Sequence, residues 1–280
     1  MKEIVWSDVV KKRSSVRRYD PLPIDEATLD KLENFADNLR GPFHPNVRFE
    51  FIHNANTPHK DRQKIGTYGF IHGAKHFIAG IVQHGTHDME QLGYAFEHII
   101  LFATYLGLGT CWLGGTFNRK HLGRAVAVNK DEVLPAISPL GYKASKESML
   151  SKAMKWSVKS KHRKPWEALF FHQDTDKPLS ENEAEHFALP LEMVRLAPSA
   201  TNNQPWRIIK DGEDWHFYRC ESKFVVKSTP FNMQRIDLGI AMCHFELGAK
   251  EKKLDGKWVM LDEKPIFPGT EKWDYTVSWI

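Results

Sequence analysis

Cysteine is scarce: the 280 residues hold three, Cys111, Cys220 and Cys243. Their odd number, wide spacing and want of any Cys-x-x-Cys pair exclude a disulfide scaffold and a cysteine-bound structural zinc. They fit a reducing, cytoplasmic setting. No apolar run is long and clean enough for a bilayer. The richest stretch, 92–113, is interrupted by Glu97, His98 and glycines, and reads as a buried helix followed by a turn, so no membrane contact is expected. The segment MKEIVWSDVVKKRSSVRRYD has no apolar core of signal-peptide type. Neither sign of charge dominates, with 39 lysines and arginines against 35 acidic residues and a formal net charge of +4. That balance falls short of a nucleic-acid binder and suits an anionic small molecule. There is no His-Glu-x-x-His helix. His72 and His76 at i,i+4 and His84 near His87 read as surface or satisfied core histidines, and no metal is expected.

What is present is an ordinary globular balance, 41% hydrophobic and 26% charged, enough for a sizeable core. The pattern predicts a first helix over 6–12, then an extended exit through RSSVRRYDPLPI, where Pro21 and Pro23 disfavour helix. DEATLDKLENFADNL carries apolar residues at helical spacing, and NVRFEFI alternates as a strand. KHFIAGIVQ suits a buried strand. Residues 90–106 are apolar nearly all round, which places that helix in a core or an interface. In the second half, ENEAEHFALPLEMVRLAPS predicts a helix broken by Pro190 and stopped at Pro198. WRIIKDGEDWHFYR predicts a hairpin around Asp211-Gly212. DLGIAMCHFELGAKEKKL predicts a further helix, KWVML a short strand and DYTVSWI a terminal strand. The basic segment KASKESMLSKAMKWSVKSKHRK reads as a solvated connector. One internal echo stands out: LGYAFEHIILFATYLGL (92–108) and LGIAMCHFELGAKEKKL (238–254) share seven of seventeen ungapped positions, including Gly93/Gly239 and His98/His244. A duplicated core helix would pack as two subunits do about a two-fold axis.

Three stretches carry chemistry. Arg13, Ser15 and Arg17 stand at alternate positions, so in an extended chain they share one face. Two guanidinium forks and a hydroxyl there fit a phosphate. Lys161 and Arg163 offer two further cations. LGLGTCWLGG follows a helix rather than a strand, so it is no dinucleotide fingerprint. Its Gly114 and Gly115 instead leave backbone N–H groups approachable by a planar heteroaromatic ring. APSATNNQPW gathers Ser199, Asn202 and Gln204 between Pro198 and Pro205, with amides suited to the polar edge of a heterocycle. Each stretch has a plainer reading, as solvated surface, helix cap or loop. Cys111 has no evident base partner as a nucleophile.

Taken together, RSSVRRYD, GLGTCWLGG, LGY at 140–142, HRKPWEALFF at 162–171 and APSATNNQPW resemble the FMN-dependent nitroreductase family. The resemblance implies an α+β fold with mixed and antiparallel sheets, FMN as cofactor, NADH or NADPH as co-substrate, and a small-molecule electron acceptor such as a nitroaromatic or quinone. Ordinary members carry the Pro-Ser-x-x-Asn string early and bind FMN between two subunits. Here it comes only at 197, while the arm and the glycine turn occur only in the first half. The expectation is therefore a fused, monomeric pseudo-dimer with one FMN, its halves 1–172 and 173–280. By position, Arg13 and Ser15 would hold the phosphate with Lys161 and Arg163. Arg17 would lie nearer the ring as electrostatic support, no side chain acting as the catalytic group. Gly114 and Gly115 would approach the ring, and Pro198, Ser199, Ala200 and Asn202, with Gln204, would close it from the other half. Flavin storage or sensing, dehalogenation and flavin breakdown are the alternatives on the same scaffold.

Overall fold

The computed structural model describes residues 3–53, 69–145, 162–220 and 231–280. The chain runs α1 (Trp6–Lys12), α2 (Glu26–Asp37), β1 (Val47–His53), β2 (His76–Gln83), α3 (Asp88–Tyr105), β3 (Gly109–Thr110), α4 (Arg119–Ala125), β4 (Glu132–Gly141) and β5 (Phe170–Phe171). It continues with α5 (Ala188–Leu196), β6 (Trp206–Asp211), β7 (Asp214–Cys220), α6 (Met233–Glu251), β8 (Trp258–Val259) and β9 (Trp273–Trp279). Two sheets form, ordered β1-β2-β4-β3 and β5-β6-β7-β9-β8.

Four strands of each sheet match in order, and the elements between them match except for α4, which lies between β3 and β4 and has no counterpart between β8 and β9. Each half runs helix, hairpin strands, long core helix, short edge strand and central strand. The fold is thus an α+β pseudo-dimer of two related halves. The chain leaving the first half adds β5 to the second sheet, Phe170 and Phe171 pairing in parallel with Ile208 and Ile209. This added strand ties the halves together beyond their helix contact.

The axis of the pseudo-dimer is the crossing of α3 and α6. A Cβ on Gly93 would stand 2.1 Å from the Ile236 carbonyl oxygen, and one on Gly239 would stand 2.0 Å from that of Glu90. Gly93/Gly239 and Glu90/Ile236 are both 146 residues apart, the offset of the sequence echo. The same clash written twice, with partners exchanged, is what a two-fold axis produces. The helix ends repeat it. Gly107 and Lys253 both take left-handed φ, +84° and +57°. Leu108 N–H donates to Ala103 O at 2.8 Å and Leu254 N–H to Ala249 O at 2.9 Å. Both are Schellman closures, which satisfy carbonyls the helix leaves open. Gly239→Ala is expected to cost roughly 1–3 kcal/mol by pushing two backbones apart, and Gly93→Ala about the same. Chemical denaturation of both variants checks this, and a loss confined to one of them would argue against the symmetric crossing.

Both core helices are buried on nearly every side. The all-round apolarity of residues 90–106 therefore reflects burial in the core. Within the crossing His244 Nε2 meets Glu97 Oε1 at 3.0 Å with both side chains fully buried. Trp112 Nε1 donates to Glu97 Oε2 at 2.7 Å, and His244 Nδ1 lies 2.9 Å from Met193 O.

Pro190 does not break its helix. It is the third residue of α5, in the first turn, where backbone N–H groups have no partner to lose. The strand β4 passes through Pro135 and Pro139 because its neighbour β3 is only two residues long. Of the alternating N–H groups facing that edge, Ile137 bonds Leu113 O at 2.9 Å, while the prolines fall where β3 has ended. No helix among the described residues is long and apolar enough to cross a membrane. Nor do three or more His, Cys, Asp or Glu side chains among them gather in an arrangement that could hold a metal ion.

Candidate functional site

The exit from α1 is drawn straight by three backbone clasps. Val16 N–H donates to Thr110 O at 2.8 Å, Tyr19 N–H to His72 O at 2.9 Å and Asp20 N–H to Tyr142 O at 2.9 Å. Extended geometry then sorts the side chains by alternation. Val16 turns inward against Gly109, where a Cβ would lie 2.8 Å from its methyl group. Arg13, Ser15 and Arg17 turn the other way and line a cleft of about 400 Å³, within the usual size of small-molecule sites.

The far wall comes from the second half: Pro198, Ser199, Ala200, Thr201 and Asn202, with Met233, Ile236, Asp237 and Ile240 of α6. Trp112, Leu113, Gly114 and Gly115 form the side between them, and Arg163 stands on the rim. A Cβ on Gly114 would lie 2.0 Å from Met233 Cε, whereas one on Gly115 would meet nothing within 4 Å. The first glycine admits α6 to the turn, and the second opens the backbone into the cleft.

The loop at 198–204 is built tightly. Ser199 Oγ accepts Gln204 N–H at 2.8 Å. Asn202 Oδ1 accepts from Arg163 Nη1 at 3.0 Å and Asn202 Nδ2 donates to His162 O at 2.7 Å. Gln204 is buried behind the loop rather than on the cleft, its Oε1 taking Lys164 N–H at 2.8 Å. Asn202 and Gln204 thus spend amide groups on fixing the 162–164 segment beside the loop. Thr201, Asn202 and Gln204 hold positive φ of 52°, 59° and 48°. Such strain in non-glycine residues persists where surroundings enforce it, commonly at ligand sites.

Three arginines and one aspartate, Asp237, are among the described residues lining the cleft. Arg13 Nε and Arg17 Nη1 are buried without a hydrogen-bond partner among the described residues. Burial, then repulsion from Arg13, brings Arg163 down to about 10. Buried donors left open and like charges held together make a place for an anion. Of the residues singled out in sequence, the cleft gathers Arg13, Ser15, Arg17, Gly114, Gly115, Arg163, Pro198, Ser199, Ala200 and Asn202. Gln204 lies one layer back, and Lys161 is outside the described residues. The site also uses Met233, Ile236, Asp237 and Ile240. As ordinary helix letters they carry no distinguishing signal in the sequence.

The other side of the pseudo-axis has a counterpart cleft, lined by Phe43, His44, Pro45, His87, Trp258 and Met260 among others. Trp258, Met260 and His87 stand 146 residues from Trp112, Gly114 and Met233 respectively. Met260 replaces the admitting glycine, and no arginine or lysine is among its described lining residues. Among the described residues, arginines line one of the two clefts.

Two interlocked α+β halves around one cationic, glycine-flanked cleft define a nitroreductase-like pseudo-dimer. A protein-family model described as "Putative TM nitroreductase" matches residues 7–249. The chain belongs to that family. A crystal structure from Thermotoga maritima, described as a putative nitroreductase, shares the fold at TM-score 0.63 and 20% identity, covering 100% of this chain and 95% of its own. A nitroreductase family protein from Clostridium novyi NT aligns at 22% identity and TM-score 0.42, over 52% of this chain and 90% of its own. A nitroreductase with bound FMN from Bacteroides fragilis aligns at 20% identity and TM-score 0.42, over 52% and 92%. No curated protein matches the chain.

Proposed function

We propose that the protein binds one FMN in the cleft between its halves and acts as an NAD(P)H-dependent oxidoreductase on a small acceptor. The observation that carries this reading is the pair of orphaned arginine donors facing a glycine turn across an apolar slot. The donor set fits the group. Arg13 and Ser15, aided by Arg163, would hold its phosphate. Gly114 and Gly115 would lie along the ring with Pro198, Ser199 and Ala200 opposite. Arg17 would offset negative charge on the ring system. FMN, when bound, supplies two-electron transfer between NADH or NADPH and an acceptor such as a nitroaromatic or a quinone. The chain's own part is to hold, orient and electrostatically support it. The apolar wall of Trp112, Leu113, Ile236 and Ile240 would keep water from one face.

The test is purified protein reconstituted with FMN and given NADH or NADPH with a quinone or nitroaromatic. Cofactor-dependent nicotinamide oxidation, with acceptor and nicotinamide competing in a ping-pong pattern, is expected. Retained flavin with no oxidation of either nicotinamide would leave a binding protein and overturn the enzymatic reading.

A further inference from the structure

Asp237, on the second turn of α6, is the acidic residue among those described that line the cleft, with 2% of its surface exposed. Its Oδ1 accepts Ala200 N–H at 2.9 Å. Its Oδ2 is buried and has no partner among the described residues. The pseudo-symmetry shows what such a side chain is needed for. The residue 146 positions earlier is Gln91, whose Oε1 accepts Phe43 N–H, at 3.0 Å, from the corresponding loop of the counterpart cleft. A neutral amide therefore suffices to hold that loop. In the cleft that carries the arginines the same task falls to a carboxyl, whose second oxygen the loop does not use.

We propose that Asp237 works as a neutral carboxylic acid that grips Ala200 N–H through Oδ1 and donates the Oδ2 proton to an acceptor atom of the ring bound in the cleft. The inference rests on the FMN reading. Burial raises this carboxyl to about 8, the Ala200 N–H opposing the rise. The charged and titratable groups that line the same cleft are Arg13 and Arg17 of the arm, Arg163, and Cys111 of the glycine-turn segment. On the α3 side Asp88 and Glu90 are engaged by Arg235, at 3.2 and 2.7 Å. A neutral acid at this position supplies a donor without placing a negative charge under the ring. Once ionised it loses the donor and repels an electron-rich ligand, so affinity must fall as pH rises through the carboxyl's range.

The apo-protein is titrated with FMN by fluorescence from about pH 7 to about 9.5, where the FMN phosphate stays in its dianionic form. The wild type is expected to bind with constant affinity near neutrality and to lose about tenfold by the top of the range, the worth of one good hydrogen bond. Asp237→Asn keeps an acceptor for Ala200 and a donor for the ring. It should match the wild type near pH 7 and show a flat profile. Asp237→Leu should lose about tenfold at every pH. Infrared spectra of the FMN-loaded wild type should contain a protonated-carboxylic-acid carbonyl band that vanishes as the solution is made alkaline, a readout that needs no variant. A flat wild-type profile, an Asn variant that keeps the pH dependence, or no such band overturns the role of Asp237 and leaves FMN binding standing. Folded wild-type protein that takes up no FMN near pH 7 overturns the cofactor reading itself.

Discussion

Replacing Arg13 and Arg17 together by alanine should weaken FMN binding by about 10²–10⁴-fold. Each guanidinium contributes a charge-assisted hydrogen bond, and such bonds are worth roughly 1.5–3 kcal/mol. The single variants should separate phosphate from ring. Arg13→Ala should weaken FMN while leaving riboflavin nearly untouched, since riboflavin carries no phosphate. Arg17→Ala should weaken both ligands. The apo-protein should lose little stability, because Arg13 adds repulsion against Arg163. Titration of apo-variants with both ligands checks this. Equal losses for FMN and riboflavin in the Arg13 variant would remove the phosphate from the arm.

The second large effect lies behind the cleft. His244→Leu would leave Glu97 buried with only Trp112 as partner. Stripping one member from a buried pair typically costs about 3–5 kcal/mol, because the remaining charge stays desolvated. In a chain of this size that lowers the melting temperature by on the order of 10 °C. Adding Glu97→Gln should recover part of the loss, since the amide is neutral and its oxygen still accepts from the Trp112 indole. Trp112 lines the cleft, so ligand binding should weaken with the single variant and return with the double. Calorimetry on the two variants measures it, and a double variant less stable than the single would mean that Glu97 is not the group left uncompensated.

Much of this was legible in the sequence because local physics and tertiary context agreed. The helices at 6–12 and 26–37, the strands at 47–53 and 76–83, and the hairpin around Asp211-Gly212 follow from periodicity and turn residues alone. The alternation of Arg13, Ser15 and Arg17 foretold their common face, since an extended chain has few other ways to arrange them. The strand 132–141 was hidden by Pro135 and Pro139, which argue against a central strand unless the neighbour's length is known. The helix 119–125 is a short surface turn with little periodic signal. Pro190 misled for the complementary reason, its cost depending on which turn of the helix holds it. Asp237 could not be seen at all. An Asp-Leu-Gly before an apolar helix looks like a solvated first turn, and its burial arises only when the other half of the chain covers it. Asn202 and Gln204 were visible as hydrogen-bonding residues, but their use of amide groups to fix the 162–164 segment depends on a contact some forty positions away.

The ligand-binding expectations depend on the two halves making one cofactor cleft, the counterpart having Met260 in place of a glycine and no arginine or lysine in its described wall. The flavin-to-chain ratio decides it. Protein saturated with FMN, desalted, and measured by absorbance after denaturation should hold close to one flavin per polypeptide. A ratio near two would mean that both clefts bind, and a ratio near zero in folded protein would mean that neither does.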